Sequence, residues 1–397
     1  MFLTIGLIGC GSDDDSTPDY IRPHGKTHRT VLAYLVGDMN LWFAIEESVN
    51  QLEEGWDDQI DGTLLVYLDN SAHLTQFGQP VLLEVAHDTT DMIVSKVVKV
   101  YDDQDAGDPN VMRGILNDAV TLYPAESHGL IIGTHGNGWL PEIKEEHSID
   151  SKGLAGPERY GSSLEIADLA RILPVRYDFI MFHACNMSNI ETVYQLRDKC
   201  DFVVASALPL PGYGYPYETI VPYLYTKPHA DLYKTAKLSA QDYDENKDKS
   251  SFGGFTVSVI QTSELENVAA AVSGLLGSID MSYDQMRAYL VDNKCLVNYY
   301  ENVLLDIGGL YFLSSDDRLK TAFQDALQKA VVQYYFVPGE YGGEENAELM
   351  SRIEEYGSGV SFYLPNLINT STYDQVNAAF KNDYDWSKAS GFDRDRK

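Results

Sequence analysis

Positive charge is scarce in this sequence. Its 397 residues include 60 aspartates and glutamates but only 29 lysines and arginines, a formal net charge of -31. A chain of that balance repels nucleic acid and anionic membrane and favours cationic partners or divalent ions. Cysteine is scarce as well: Cys10, Cys185, Cys200 and Cys295 are all there is, too few to staple a chain of this length. No run reaches the roughly 20 consecutive apolar residues that a bilayer-spanning helix needs. Internal repeats and low-complexity tracts are absent beyond the first few dozen residues. What is present is a composition 44% hydrophobic, enough to bury a sizeable core.

The opening "MFLTIGLIGCGSDDDS" has a short apolar stretch ending on Leu7, Ile8, Gly9 and Cys10, and resembles a bacterial lipoprotein signal. The resemblance implies a signal peptide over 1–9, lipidation of Cys10 and a polar, disordered tether over 10–29. The acidic run after Cys10 is similar to export signals of surface lipoproteins in some Gram-negative bacteria. The expected location is therefore the cell envelope, lipid-anchored on the outer membrane surface, with the lipid as the only membrane contact. No lysine or arginine precedes the apolar stretch, a departure from that pattern. With Cys10 lipidated, three cysteines remain, so at least one thiol is free.

From residue 30 onward, buried-strand runs alternate with helical periodicity. "TVLAYLVGD" (30–38), "GTLLVYLDN" (62–70), "HGLIIGTHGNGW" (128–139), "YDFIMFHAC" (177–185) and "DFVVASALP" (201–209) are nearly continuous apolar stretches, as in strands covered on both faces. Residues 79–101 read as a hairpin, 109–123 as a helix opened by proline, and 164–174 and 189–199 as short helices. The pattern is that of an α/β fold, a mostly parallel sheet flanked by helices over 30–244. After about residue 245 it changes, with helices expected at 263–279, 283–293 and 316–334 between strand-like runs 252–260 and 357–365. This reads as a smaller C-terminal α/β region, 245–397, packed on the first.

In parallel sheets, ligands bind at the carboxyl ends of the strands, where both His135 and Cys185 fall. A thiolate nucleophile needs a base within hydrogen-bond reach and backbone N–H groups to hold the developing oxyanion. Gly136 and Gly138 leave backbone open for a substrate carbonyl beside the histidine. Cys200 and Cys295 have no such neighbour and read as core or surface thiols. The order, histidine first and cysteine 50 residues later, matches that of caspase-type proteases.

"VLAYLVGDMNLW", "GTHGNGW", "ACNMS", "VVASALPLPGYGYPY" and "GSGVSFYLPN" together resemble the clostripain-like cysteine peptidases. The resemblance implies a caspase-like fold and an endopeptidase with Cys185 as nucleophile, His135 as base, and Gly136 and Cys185 N–H groups as oxyanion donors. It implies peptide or protein substrates and no cofactor for the chemistry. Some members need calcium and others do not, so calcium stays open. The polar segment 140–163, where the family is often cut, offers Lys144, Lys152 and Arg159 as processing sites.

The sequence departs from the family at His183. Members that cleave after arginine or lysine carry aspartate two residues before the cysteine. His183, with Ser206, Tyr213 and Tyr215 as the other expected pocket residues, favours an uncharged or aromatic P1 side chain. Basic specificity would require another acid, such as Glu218 or Asp178, to reach the pocket. The alternative is a retired peptidase scaffold serving as a surface binding lipoprotein.

Overall fold

The computed structural model describes residues 26–37, 40–70, 76–141, 163–247, 253–293, 297–300, 303–339, 343–365 and 371–394. Its first six strands are β1 (Thr27–Val36), β2 (Gly62–Asp69), β3 (Val81–Glu84), β4 (Lys96–Val100), β5 (Ala125–Gly133) and β6 (Tyr177–His183). Then follow β7 (Cys200–Ala205), β8 (Gly254–Gln261), β9 (Asn298–Tyr300), β10 (Leu304–Asp306), β11 (Val331–Pro338) and β12 (Ser361–Tyr363). The helices that bear on the site are α1 (Trp42–Gly55), α2 (Pro109–Leu122), α3 (Ile166–Ile172), α4 (Ile190–Gln195) and α5 (Tyr217–Leu224).

Nine strands form one sheet in the order β11-β8-β7-β6-β5-β1-β2-β3-β4. The five central strands, β7 through β2, are parallel, and two antiparallel strands close each side. Alternation along β1 shows why this sheet needs helices on both faces: Leu32, Tyr34 and Val36 enter one core, Val31, Ala33 and Leu35 the other. Helix α2 starts where the sequence indicates, with Pro109 in its first turn and the Asp108 carboxylate accepting from the N–H of Asn110 and Val111. The expected hairpin forms between β3 and β4.

Three boundaries differ from the sequence reading. First, β1 begins at Thr27, inside the stretch assigned to a tether. Arg29 is fully buried there because Asp178 pairs with its guanidinium at 2.6 Å, the carbonyls of Leu224, Thr226 and Pro228 accept from its terminal nitrogens, and the Ser127 hydroxyl accepts from its Nε at 2.9 Å. A buried, fully paired arginine is invisible to hydropathy. Second, residues 331–334, expected to prolong a helix, open β11, whose "VVQYYFVP" is β-branched and aromatic.

Third, the chain after 245 does not stop at packing on the sheet. It supplies β8 and β11 to the main sheet, while β12, β10 and β9 make a separate three-stranded one. Its later part also braces the site loops from behind. Ser361 N–H donates to the Ser188 carbonyl (2.8 Å), Tyr363 N–H to Glu191 Oε1 (2.8 Å) and Tyr384 O–H to the Trp139 carbonyl (3.2 Å).

Candidate active site

Strands β6, β5 and β1 are neighbours in the sheet, and their carboxyl ends carry Cys185, His135 and Asn40 in that spatial order. The loops after β5 and β6 interlock. A Cβ on Gly136 would stand 2.8 Å from the Ala184 Cβ and 3.0 Å from the Cys185 carbonyl oxygen, so glycine lets the histidine loop lie directly on the cysteine loop. One turn on, Gly138 has φ +66° and faces Asn186 and Asn189, while Asn189 Nδ2 donates to the Asn186 carbonyl at 2.6 Å. Asn186, immediately after the cysteine, has φ 55°. A non-glycine residue in the left-handed region costs energy that its surroundings must hold.

The Cys185 thiol is partly buried and its hydrogen-bond partners are the backbone of Leu210, whose N–H reaches the sulfur at 3.4 Å and whose carbonyl accepts from it at 3.8 Å. Burial pushes the thiol upward, partly offset by the Leu210 N–H. Among the described residues no hydrogen bond joins the thiol to the His135 ring. The ring is instead fixed at Nε2, 2.7 Å from Asn40 Oδ1. The N–H groups of Gly136 and Cys185 donate to no acceptor among the described residues.

His183 ends β6 with its ring on the opposite side from Phe182. Only 5% of it is exposed. Its Nδ1 meets the Tyr217 hydroxyl at 3.0 Å, and a Cβ on Gly214 would fall 2.0 Å from its Cε1 and Nε2. The imidazole therefore occupies the volume that Gly214, at φ +68°, leaves empty. Burial drives its pKa down to about 4, so it is a neutral ring at pH 7.

Of the other expected pocket residues, Ser206 is buried, its hydroxyl donating to the Leu208 carbonyl (2.8 Å) and lying 2.9 Å from Thr256 Oγ1. Tyr215 is buried too and donates to the Phe182 carbonyl at 3.3 Å. These two brace the strand ends. Tyr213 is half-buried and lines a cavity of about 320 Å³ with Glu47, Gln51, Pro216, Glu218, Asp242 and Asn246. Asp178 lies at the other end of β6, committed to Arg29 and His229, which removes it as a source of basic specificity.

With this geometry in place, known proteins are informative. The clostripain family matches the chain over residues 33–394. The chain belongs to the clostripain family. A curated relative, the "Clostripain" of Hathewaya histolytica, is 24% identical over 221 residues, 48% of this chain and 41% of the relative, so the chain spans less than half the length of that relative.

Two solved structures match more fully. A secreted C11 cysteine protease from Bacteroides thetaiotaomicron, in complex with an irreversible peptide inhibitor, gives a TM-score of 0.72 at 26% identity, covering 92% of this chain and 100% of that one. An inactive zymogen C11 protease from Parabacteroides distasonis gives 0.71 at 26% identity, covering 92% and 99%. The mostly parallel, helix-flanked sheet read from the sequence is the fold of these relatives.

Within this clostripain-family chain, Cys10, Cys295, Lys144, Lys152 and Arg159 lie outside the described residues. Cys200 is a buried thiol bonded to the Leu196 carbonyl, with its pKa raised by burial. Among the described residues no group of three or more histidine, cysteine or acidic side chains could hold a metal ion, and no helix is long and apolar enough to cross a membrane. Sequence reading missed Asn40 as a neighbour of the site. Its only signal is a place just after a strand, and the fact that β1 adjoins β5 is not written in local sequence.

Proposed function

We propose that the chain is a cysteine endopeptidase in which Cys185 and His135 carry the chemistry. His135 takes the thiol proton as the sulfur attacks the carbonyl carbon of the scissile peptide bond. The oxyanion of the tetrahedral intermediate is held by the N–H groups of Gly136 and Cys185. The imidazolium returns its proton to the leaving amine, the C–N bond breaks, and an acyl-thioester remains on Cys185. His135 then takes a proton from water, which attacks the thioester and frees the new carboxyl end and the thiol. Each step draws on groups of the chain.

The observation that carries this reading is the seat of Gly136 on the Cys185 carbonyl, which brings the base loop and nucleophile loop together with two N–H groups uncommitted. For attack, the thiol must exchange its Leu210 partner for the imidazole, which rotation about its Cα–Cβ bond allows. The preferred P1 residue is uncharged, because the position two before the nucleophile holds a buried neutral imidazole. The N-terminal motif supports anchoring in the cell envelope through Cys10, which incorporation of labelled palmitate into wild type but not Cys10→Ala would establish.

The deciding experiment is hydrolysis of a peptide library by wild type, Cys185→Ala and His135→Ala, with labelling by a thiol-directed active-site probe. Turnover confined to wild type, with labelling lost in Cys185→Ala, is the expected result. Turnover retained in Cys185→Ala would refute the reading.

A further inference from the structure

We infer that Glu191 is a proton-controlled tie between strand β12 and the loop that carries Cys185: with its carboxyl protonated the nucleophile loop is held in place, and loss of that proton frees it. As regulation of the site this rests on the cysteine peptidase reading, while the tie itself rests on the fold alone. Glu191 lies in the first turn of α4, six residues after Cys185, and is fully buried. Its Oε1 accepts the Tyr363 N–H at 2.8 Å, and its Oε2 is buried with no hydrogen-bond partner among the described residues. A carboxylate enclosed without a cation loses its hydration and gains little in return, so the neutral acid is the form that fits there.

The elements packed against α4 are α3, β12 and the helix Asp385–Ser390, and none of them brings a free cation to Glu191. Arg171 of α3 pairs with Asp168, and Lys388 is exposed. Just beyond α4, Arg197 is committed to Glu266 and Asp385. Strand β12 presents Tyr363, whose hydroxyl donates to Asn377 Oδ1 at 2.9 Å. The Tyr384 hydroxyl, which donates to the Trp139 carbonyl, feels the carboxyls of Glu165, Asp383 and Glu191 and supplies no positive charge. Burial accordingly raises the Glu191 pKa from the ordinary 4.5 to about 8, offset in part by the N–H groups of Tyr363 and of Glu191 itself.

The same short segment makes the neighbouring ties. The Gly359 carbonyl accepts from the hydroxyls of Ser188 at 2.6 Å and Ser258 at 2.7 Å, and Ser361 N–H donates to the Ser188 carbonyl at 2.8 Å. Residues 359–363 are thus bonded to the chain three and six residues beyond Cys185. When this contact opens, water reaches Glu191 and the carboxyl ionises near its ordinary 4.5. The open arrangement then gains on the closed one about tenfold for each pH unit from 4.5 up to about 8, and no further above. A contact without a buried carboxyl would have no such slope.

The test compares wild type, Glu191→Gln and Glu191→Met in the full chain from pH 5.5 to 9. Neither replacement ionises. Glutamine keeps an acceptor for the Tyr363 N–H, and methionine takes its place if the glutamine variant folds poorly. Hydrogen exchange of peptides covering 357–365, corrected for the intrinsic pH dependence of amide exchange, reads the tie directly. Protection in wild type relative to the variant is expected to fall about tenfold per pH unit between 5.5 and 8 and to level off above. The ratio of wild-type to variant kcat/KM on one peptide substrate, in which the titrations of Cys185 and His135 cancel, is expected to fall roughly threefold or more from pH 6 to 8.5. Equal protection slopes in wild type and variant overturn the inference. A flat activity ratio beside diverging protection also overturns it, because the tie would then have no hold on the site. Turnover that survives in Cys185→Ala would instead bring down the peptidase reading and the regulation built on it, with the exchange slopes still deciding the tie.

Discussion

Two histidines stand at the ends of adjacent strands, and their surroundings give them opposite characters. His135 follows β5, is half-buried, and meets a polar side chain, Asn40, from the turn beyond a third strand. His183 closes β6, is sealed beneath Gly214 and beside Tyr217, and is kept neutral by burial, its pKa near 4. In the proposed function one exchanges a proton, while the other fills space as a large, uncharged polar ring. Residue type and position along the sheet are almost the same. The difference comes from neighbours supplied by distant segments, the turn at 40 in one case and the loop at 212–217 in the other.

Substituting each histidine by alanine is the strongest way to break the comparison. His135→Ala is expected to lower kcat on the order of 10²–10⁴-fold while changing stability by no more than about 0.5 kcal/mol. His183→Ala should do the reverse. It leaves a cavity under Gly214 and strands the buried Tyr217 hydroxyl, a loss of about 3 kcal/mol, with the nucleophile and base still in place. Urea unfolding and steady-state kinetics on both variants check this. A His183→Ala protein as stable as wild type would show that its ring is not packed as described.

How much of this contrast could be read from the sequence follows the range of each interaction. The places of His135 and Cys185 at the ends of neighbouring strands were legible because a strand run and the residue that closes it are consecutive in the chain. The helix-flanked parallel core was legible for the same reason, since each strand is a local apolar run. Arg29 was not: a charged residue reads as solvent-facing until Asp178, 149 positions on, is known to neutralise it. Nor was the recruitment of β8 and β11, because a strand's partner depends on sheet order. His183 was legible as a departure, but its burial depends on Gly214 lying over it. Asn40 needed both sheet order and side-chain geometry.

A pH titration sharpens the comparison at the next scale. Free histidine titrates near 6.5, and folded His183 near 4. As pH falls below 6.5 the unfolded chain takes up a proton that the folded chain refuses until about pH 4. Stability is therefore full above 6.5 and declines through that window, by about 3 kcal/mol for this group. Glu191, pushed up to about 8 by burial, has the opposite slope, losing stability as pH rises from 4.5 to 8. That slope is common to wild type and His183→Asn, so it cancels in their difference. Unfolding free energies for both at pH 4, 5, 6 and 7 are expected to diverge as pH falls, wild type losing more. Parallel curves would mean that His183 takes up its proton as readily in the folded protein as in the unfolded chain.

The smallest expected effect is on the choice of P1 residue. The neutral ring of His183 offers no charge to a lysine or arginine side chain, so wild type is expected to favour uncharged P1 residues. His183→Asp alters two things: a shorter side chain empties part of the space under Gly214, and a carboxylate enters it. His183→Asn makes the same space without the charge, and so separates the two causes. A charge-assisted hydrogen bond contributes about 1.5–3 kcal/mol, part of which the cost of burying the new carboxylate removes. A shift on the order of tenfold in kcat/KM toward arginine or lysine is therefore expected for His183→Asp alone, on matched substrates that differ only at P1. Equal shifts in both variants would assign the preference to volume rather than charge. A wild-type protein that already prefers basic P1 residues would mean that an acid other than the aspartate missing at 183 faces the substrate, with Glu218 in the cavity beside Tyr213 the first to substitute.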